Sequence, residues 1–227
     1  MKLPKTKLLP YYHGKPSWEN RIGYLVDNRG IRLPSVTSIL QATKPPLEKA
    51  QLTRWRKKLG SVEANRVIQA SKKRGTITHE LVSKHLLGQP YSCPDLIRPY
   101  WDNLLPILDN IDNIRLVEGN LFHYYLGYAG RVDCVANYLG IPCVIEFKSA
   151  ERLKPLYDEP LQLAAYCGAV NRQYGLKLKN ALVIVTTPNE ASVTWYEPQQ
   201  VTSNWHLWKQ KVTNFWANNN ASCMGAS

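Results

Sequence analysis

Gly130-Arg131-Val132-Asp133-Cys134-Val135-Ala136-Asn137-Tyr138-Leu139-Gly140-Ile141-Pro142-Cys143-Val144-Ile145-Glu146-Phe147-Lys148 is the stretch from which the fold of this 227-residue chain is read. Leu139-Gly140 sits between two runs rich in β-branched and apolar residues and reads as the tip of a β-hairpin. Tyr138 then pairs with Ile141, and every cross-strand pair has residue numbers that sum to 279. A longer loop with Asn137 opposite Pro142 gives the same sum, so the register does not depend on the turn. Asp133 falls opposite Glu146. Alternation along a strand puts Glu146 and Lys148 on one face, and Cys143, Ile145 and Phe147 on the other, apolar face.

The polar face therefore carries two carboxylates and one amine. Like charges directly opposite each other in a strand pair are destabilising, so a positive group has to compensate. A divalent ion such as Mg2+ or Mn2+ takes hard oxygen ligands of this kind. Lys148 beside it would orient a water nucleophile or stabilise charge on a phosphate. The alternative is a plain salt bridge among three exposed side chains. Further on, Gln162 and Tyr166 lie at i and i+4 on one helix face. There they either hold a phosphate or the lysine, or Tyr166 packs in the core with a bonded hydroxyl. Upstream, His79 shares a helical stripe with Val82 and Leu86 and is expected to point inward, as a core histidine or as a third metal ligand. Glu118 enters the first strand as a further ligand or as a strand-edge charge.

Outward from the hairpin, strands are expected over 115–128, 130–138 and 141–148, a helix from about 160 to 174, a buried strand over 181–187 and a return strand over 192–196. Val201, Trp205, Trp208, Val212 and Phe215 recur at helical spacing as a core stripe. Upstream, 1–20 reads as an extended arm, 22–32 as a hairpin around Asn28-Arg29-Gly30, and Val36 to Leu40 as part of a short helix ended by Pro45-Pro46. From Leu47 to Leu87 the pattern is helical, with Leu52, Trp55 and Leu59 on one stripe and Arg54, Lys57 and Lys58 largely off it. Ser61 is a candidate helix start, and Gly75 either breaks the helix or admits a close approach. A linker over 89–99 precedes a helix of about 15 residues through Trp101, Leu105 and Leu108. The whole predicts one domain over 1–217, with an arm and hairpin (1–32), a helical region (33–112) and a core (113–217), followed by a disordered tail over 218–227. The order helix, three strands, helix, strand is an α/β (α+β) core behind a basic helical region.

Composition narrows the function. A hydrophobic fraction of 44% and a mean hydropathy of −0.34 exclude collagen, coiled-coil and disordered classes. No apolar run reaches the roughly 18 residues of a membrane helix, and Met1 to Lys5 lack a signal core, so a cytoplasmic protein is expected. Cysteines 93, 134, 143, 167 and 223 form no C-x-x-C pair and read as reduced thiols. Lys and Arg number 29 against 17 acids, and the whole excess lies in the first 90 residues, with 18 basic and 5 acidic side chains. That asymmetry points to nucleic acid.

Asp133, then Glu146-Phe147-Lys148, then Gln162 with Tyr166, resembles the core motif of the PD-(D/E)XK nuclease superfamily, in the RecB-like exonuclease branch with an upstream histidine and a Q-x-x-x-Y helix. The likeness is closer still to the mitochondrial genome maintenance exonuclease family and its bacterial and phage relatives. Leu33-Pro34-Ser35-Val36-Thr37-Ser38-Ile39-Leu40 resembles its N-terminal motif, Thr78-His79-Glu80 its histidine helix, and Pro160-Leu161-Gln162 with Tyr166 and Gly168-Ala169-Val170-Asn171 its helix after the hairpin. The resemblance runs from about Leu33 to Phe215.

It implies a restriction-endonuclease-like αβββαβ core, a central mixed sheet flanked by helices. The implied activity is a metal-dependent exonuclease that hydrolyses single-stranded DNA from free ends in repair, recombination or replication, using Mg2+ or Mn2+. His79, Asp133 and Glu146 would ligate the metal, with the Phe147 carbonyl as a candidate fourth ligand. Lys148 would act on the nucleophile or the phosphate, and Gln162 and Tyr166 would complete the site. Ser35, Thr37, Arg54, Lys57, Lys58, Lys72, Lys73 and Arg74 would contact the strand, setting affinity rather than sequence choice. Glu146 stands where the mitochondrial proteins carry Asp, and the four placed cysteines of the iron-sulfur relatives are missing. With no transit peptide read at the start, a bacterial or phage member is expected. A single-strand annealing or single-strand-binding protein is a candidate partner. The rival readings are a catalytically silent nucleic-acid-binding subunit and a double-strand-specific nuclease.

Overall fold

The computed structural model describes residues 8–224. The chain opens with β1 (Gly14–Glu19), β2 (Ile22–Asp27) and β3 (Arg32–Pro34), a small antiparallel sheet. Helices α1 (Val36–Ala42), α2 (Pro46–Leu59), α3 (Ser61–Leu86) and α4 (Arg98–Leu108) follow. Then come β4 (Ile111–His123), β5 (Tyr128–Tyr138), β6 (Ile141–Ser149), the crossover helix α5 (Glu159–Tyr174), β7 (Asn180–Thr186), β8 (Ala191–Tyr196) and α6 (Pro198–Met224). Strands β4 to β8 form one mixed sheet in sequence order, with β6 and β7 parallel and the other neighbours antiparallel. Helices cover both of its faces.

The β5–β6 ladder runs from Tyr138↔Ile141 to Cys134↔Ile145, the register expected from the hairpin tip. Alternation then sorts the side chains into two cores. Val135, Val144, Val183 and Val185 face α1, α5 and α6, where Trp208, Val212 and Phe215 are buried as the helical spacing predicts. Cys134, Cys143, Ile145, Phe147, Leu182 and Ile184 face α3 and α4 on the other side. Four described cysteines are unpaired thiols. No described helix is long and apolar enough to cross a membrane.

Several elements differ from their sequence reading. The arm contains β1, joined to β2 through Asn20 and Arg21 at φ 49° and 66°. A tight turn with two left-handed residues is hard to foresee when one of them is Arg. β4 begins at Ile111, because Ile111 and Ile114 bury against α4, and that helix is accordingly only 11 residues long. α3 continues unbroken through Gly75, where an added Cβ would meet nothing within 4 Å. Gly60, at φ 81°, caps the start of α3, and Ser61 is its first residue. α2 buries none of its side chains, so the Leu52 and Leu59 stripe stays exposed. α6 carries helical backbone through Met224, across most of the span expected as a tail. The expected arm over 1–7 and tail over 225–227 lie outside the described residues.

Candidate functional site

Asp133 continues the β5–β6 register one step beyond its last ladder pair. Its Oδ2 accepts the Phe147 backbone N–H at 2.8 Å, so the carboxylate is pinned across the hairpin beside Glu146. On the neighbouring strand, Val117↔Cys134 and Gly119↔Val132 bracket Glu118 opposite Asp133. Glu118 has φ 48°, a left-handed conformation that costs a non-glycine residue free energy and tends to persist where surrounding structure demands it. From above, α3 contributes His79, whose Nδ1 is 3.2 Å from Glu118 Oε1 and 3.3 Å from Asp133 Oδ1. One ligand atom from each of these three residues lies within 4.8 Å of the other two. His79 therefore points at the carboxylates and not into the core, where its stripe partners Val82 and Leu86 are buried.

Glu146 lies beside this trio without belonging to it. Its side chain is 3% exposed. Oε1 accepts Lys148 Nζ at 2.8 Å and Gln162 Nε2 at 2.8 Å, while Oε2 is buried with no hydrogen-bond partner. Gln162 Oε1 accepts from Lys148 Nζ at 3.3 Å, and Gln162 Nε2 also reaches the Tyr166 hydroxyl at 3.1 Å. The i and i+4 pair on α5 thus meets the strand as its spacing suggested, with Tyr166 both buried and bonded. Its ring fits because residue 130 is glycine, where a Cβ would come within 2.6 Å of it.

Charge reinforces the geometry. Burial pushes the Glu146 carboxyl up, the Asp133 charge pushes it further, and Lys148 only partly offsets them, leaving it at about 8. Burial opposes the His79 imidazolium, but hydrogen bonds and charge from Asp133 and Glu118 outweigh it and raise the ring to about 10. Burial likewise opposes the Lys148 ammonium, and Glu146 more than restores it. Without a cation, a proton on His79 neutralises the carboxylates. The donor set is one imidazole nitrogen with carboxylate oxygens, plus the orphaned Glu146 Oε2, and it fits a hard or borderline divalent ion.

Two grooves meet here. One, about 310 Å3, is lined by Trp18, Ser35, Thr37, His79, Asp133 and Tyr166 among others. The second, about 720 Å3, lies along α3 from Gly75 to Lys84, and both share His79, Glu118 and Arg131. Ser35 also caps α1, accepting the Ser38 N–H, and its hydroxyl lies 3.2 Å from that of Thr37. Arg54, Lys57 and Lys58 on α2, and Lys72 and Lys73 on α3, are exposed. Arg74 differs from these expected surface cations. It shares the inward face of α3 with Thr78 and Leu81, is 9% exposed, and pairs with Glu151. Phe147 enters the site through its amide, its ring being buried in the α3 and α4 core.

The sequence reading left Glu118 open and did not single out Arg131. Arg131 carried a detectable signal, because it lies two positions from Asp133 on the same strand face, and it pairs with Glu118. Glu118 needed the β4–β5 register, which a shift between Asp112 and Leu116 conceals.

The chain is 34% identical over 171 residues to mitochondrial genome maintenance exonuclease 1 of Mus musculus, a match covering 67% of this chain and 49% of that protein. The proteins of the same name from Xenopus tropicalis and Homo sapiens match at 32% over 166 residues and 31% over 167, each covering 67% of this chain and 48% of the relative. These matches support kinship with an exonuclease family. The chain spans about half the length of the curated relatives it matches. No family model matches the chain. One solved structure, that of SSO0001, aligns over 72% of this chain and 70% of its own at 17% identity and a TM-score of 0.40, too loose a likeness to argue from.

Proposed function

We propose that this chain is a divalent-metal-dependent exonuclease that hydrolyses single-stranded DNA from free ends, on a PD-(D/E)XK core of restriction-endonuclease-like order. The observation that carries the reading is the meeting of His79, Glu118 and Asp133 where two grooves join, with Lys148 held 2.8 Å from Glu146 beside them. The names of the similar proteins support the same reading. His79, Glu118 and Asp133 would hold a Mg2+ or Mn2+ ion, with Glu146 Oε2 available beside them. Such an ion supplies Lewis-acid polarisation of a phosphoryl oxygen and a water of lowered pKa.

The chain's own groups supply the remainder. The Lys148 ammonium is favoured by its Glu146 partner despite burial, which suits it to stabilising negative charge on the phosphate rather than removing a proton. Gln162 fixes both the lysine and the glutamate, and Tyr166 fixes Gln162. The exposed cations of α2 and α3 draw the strand in through its phosphates. In repair or recombination, a single-strand annealing or single-strand-binding protein would present or protect that strand.

The test uses end-labelled linear single strands, blunt duplex and circular single strands, each with Mg2+, with Mn2+ and with EDTA. Ion-dependent shortening of the linear single strand is expected, with Lys148→Ala and Asp133→Ala about a hundred- to a thousandfold slower while still binding DNA, on the scale of lost electrostatic stabilisation. Activity in EDTA overturns the metal role. Cleavage of the circle overturns the exonuclease assignment, and preference for duplex overturns the choice of substrate.

A further inference from the structure

The geometry points to a second anion site, a pocket that takes a phosphate group of the bound strand beside the candidate metal centre; it rests on the nucleic-acid reading above. Between α3 and the end of β6 lies a cavity of about 390 Å3 lined by Arg66, Ser71, Arg74, Ser149, Glu151 and Lys154, with three neighbours of small or apolar type. Its deepest cation is Arg74, whose side chain is 10% exposed. The guanidinium lies 5.2 Å from the centre of the Tyr100 ring and donates to Ser71 Oγ at 3.4 Å and the Ser149 carbonyl at 3.5 Å. Its Nε has no partner, and neither does the buried Ser149 hydroxyl.

Burying a guanidinium is costly unless its donors are paired. Here the counter-ion is Glu151, whose side chain is 70% exposed and sits in the irregular segment after β6. An exposed carboxylate of that kind adds little stability and moves aside cheaply. A phosphate offers more acceptor oxygens than Glu151. It can take the Arg74 fork in bidentate fashion and accept the Ser149 hydroxyl, with Arg66 and Lys154 supplying charge at the rim. Glu151 therefore stands in the place of the phosphate and is displaced by it.

The location suits one strand. Ser149 follows Lys148 directly, and Arg74 precedes His79 by five residues, about 7.5 Å along the helix axis and about 140° around it. A strand lying on the His79 trio has a neighbouring phosphate within reach of this pocket. The ligand chemistry is a phosphate oxyanion, either a terminal monoester or a backbone diester.

Binding of fluorescent oligonucleotides to the full chain, measured in EDTA, tests this apart from catalysis. Glu151→Gln is expected to tighten binding three- to tenfold, and Lys154→Gln with Ser149→Ala to weaken it by a similar factor. Asp95→Asn, at a fully exposed acid whose side chain pairs with Arg98, is expected to change it less than twofold. Glu151 and Lys154 are exposed, and circular dichroism checks that these variants fold. Strands ending in 5′-phosphate, 3′-phosphate or hydroxyl identify the source: a preference for one phosphate end that vanishes in the double variant assigns a terminal monoester, and equal responses assign the diester. If Glu151→Gln and the double variant both leave affinity unchanged, the pocket is a structural ion pair and the inference is wrong. Loss of cleavage alone, with these shifts intact, counts only against the nuclease assignment.

Discussion

His79 carries a proton that a cation must displace, and burial holds the neighbouring Glu146 carboxyl well above its usual range, so stability and metal affinity both depend on pH. His79 is raised from 6.5 to about 10 in the folded chain, so its contribution to stability is complete below about pH 6.5 and is lost as pH rises towards 10. Glu146 is raised from 4.5 to about 8, and the fold likewise loses stability as pH climbs through that window. Thermal melts in EDTA are expected to fall steadily from pH 6 to pH 9, and Mn2+ to restore the loss most at the alkaline end. Calorimetry in buffers of different ionisation enthalpy should show proton release on Mn2+ binding, with affinity rising up to about tenfold per pH unit for each proton displaced. Flat affinity with no proton release would exclude His79 as a ligand. At Gly130, a methyl group would enter the Tyr166 ring's space, so Gly130→Ala is expected to cost about 1–3 kcal/mol in urea unfolding and to slow catalysis through Gln162 and Lys148.

Helices of this chain are held to very different degrees. α6 places Trp208 at 0% exposure against Tyr128, their rings 5.1 Å apart, so Trp208→Ala is expected to cost about 3–5 kcal/mol. α2 buries nothing, and Leu52→Ala there should change stability by less than about 0.5 kcal/mol. Hydrogen exchange is expected to be fast along α2 and slow along α5 and α6; equal protection would contradict the packing. The same contrast explains which elements could be read in advance. Val201, Trp205, Trp208, Val212 and Phe215 repeat at a spacing that only a buried helix face requires, and four of the five are buried. The Leu52, Trp55 and Leu59 stripe has the same spacing, but periodicity reports an amphipathic surface and not what covers it. β1 escaped because its turn depends on two left-handed residues, Asn20 and Arg21, that composition does not mark.

Over the whole molecule, the charge excess of the first 90 residues becomes a set of exposed cations on α2 and α3, among them Arg54, Lys57, Lys58, Lys72 and Lys73. Single-strand affinity is expected to fall steeply with salt, and replacing Lys57 and Lys58 by Ala should lower the slope of log K against log salt by about 1–2 without changing base preference. An unaltered slope would remove α2 from the strand's path. The hairpin register around Leu139-Gly140, and with it the approach of Asp133 to Glu146 and Lys148, was already legible in a single stretch, because period-two alternation and a short turn are local rules. Which carboxylate joins His79 was not. Glu118 reaches Asp133 only through a strand pairing offset by an irregularity, and Arg74 turned from surface cation to buried one only when α3 docked on β6. Contacts of that kind are set by how distant elements pack, and no local pattern of residue types encodes them.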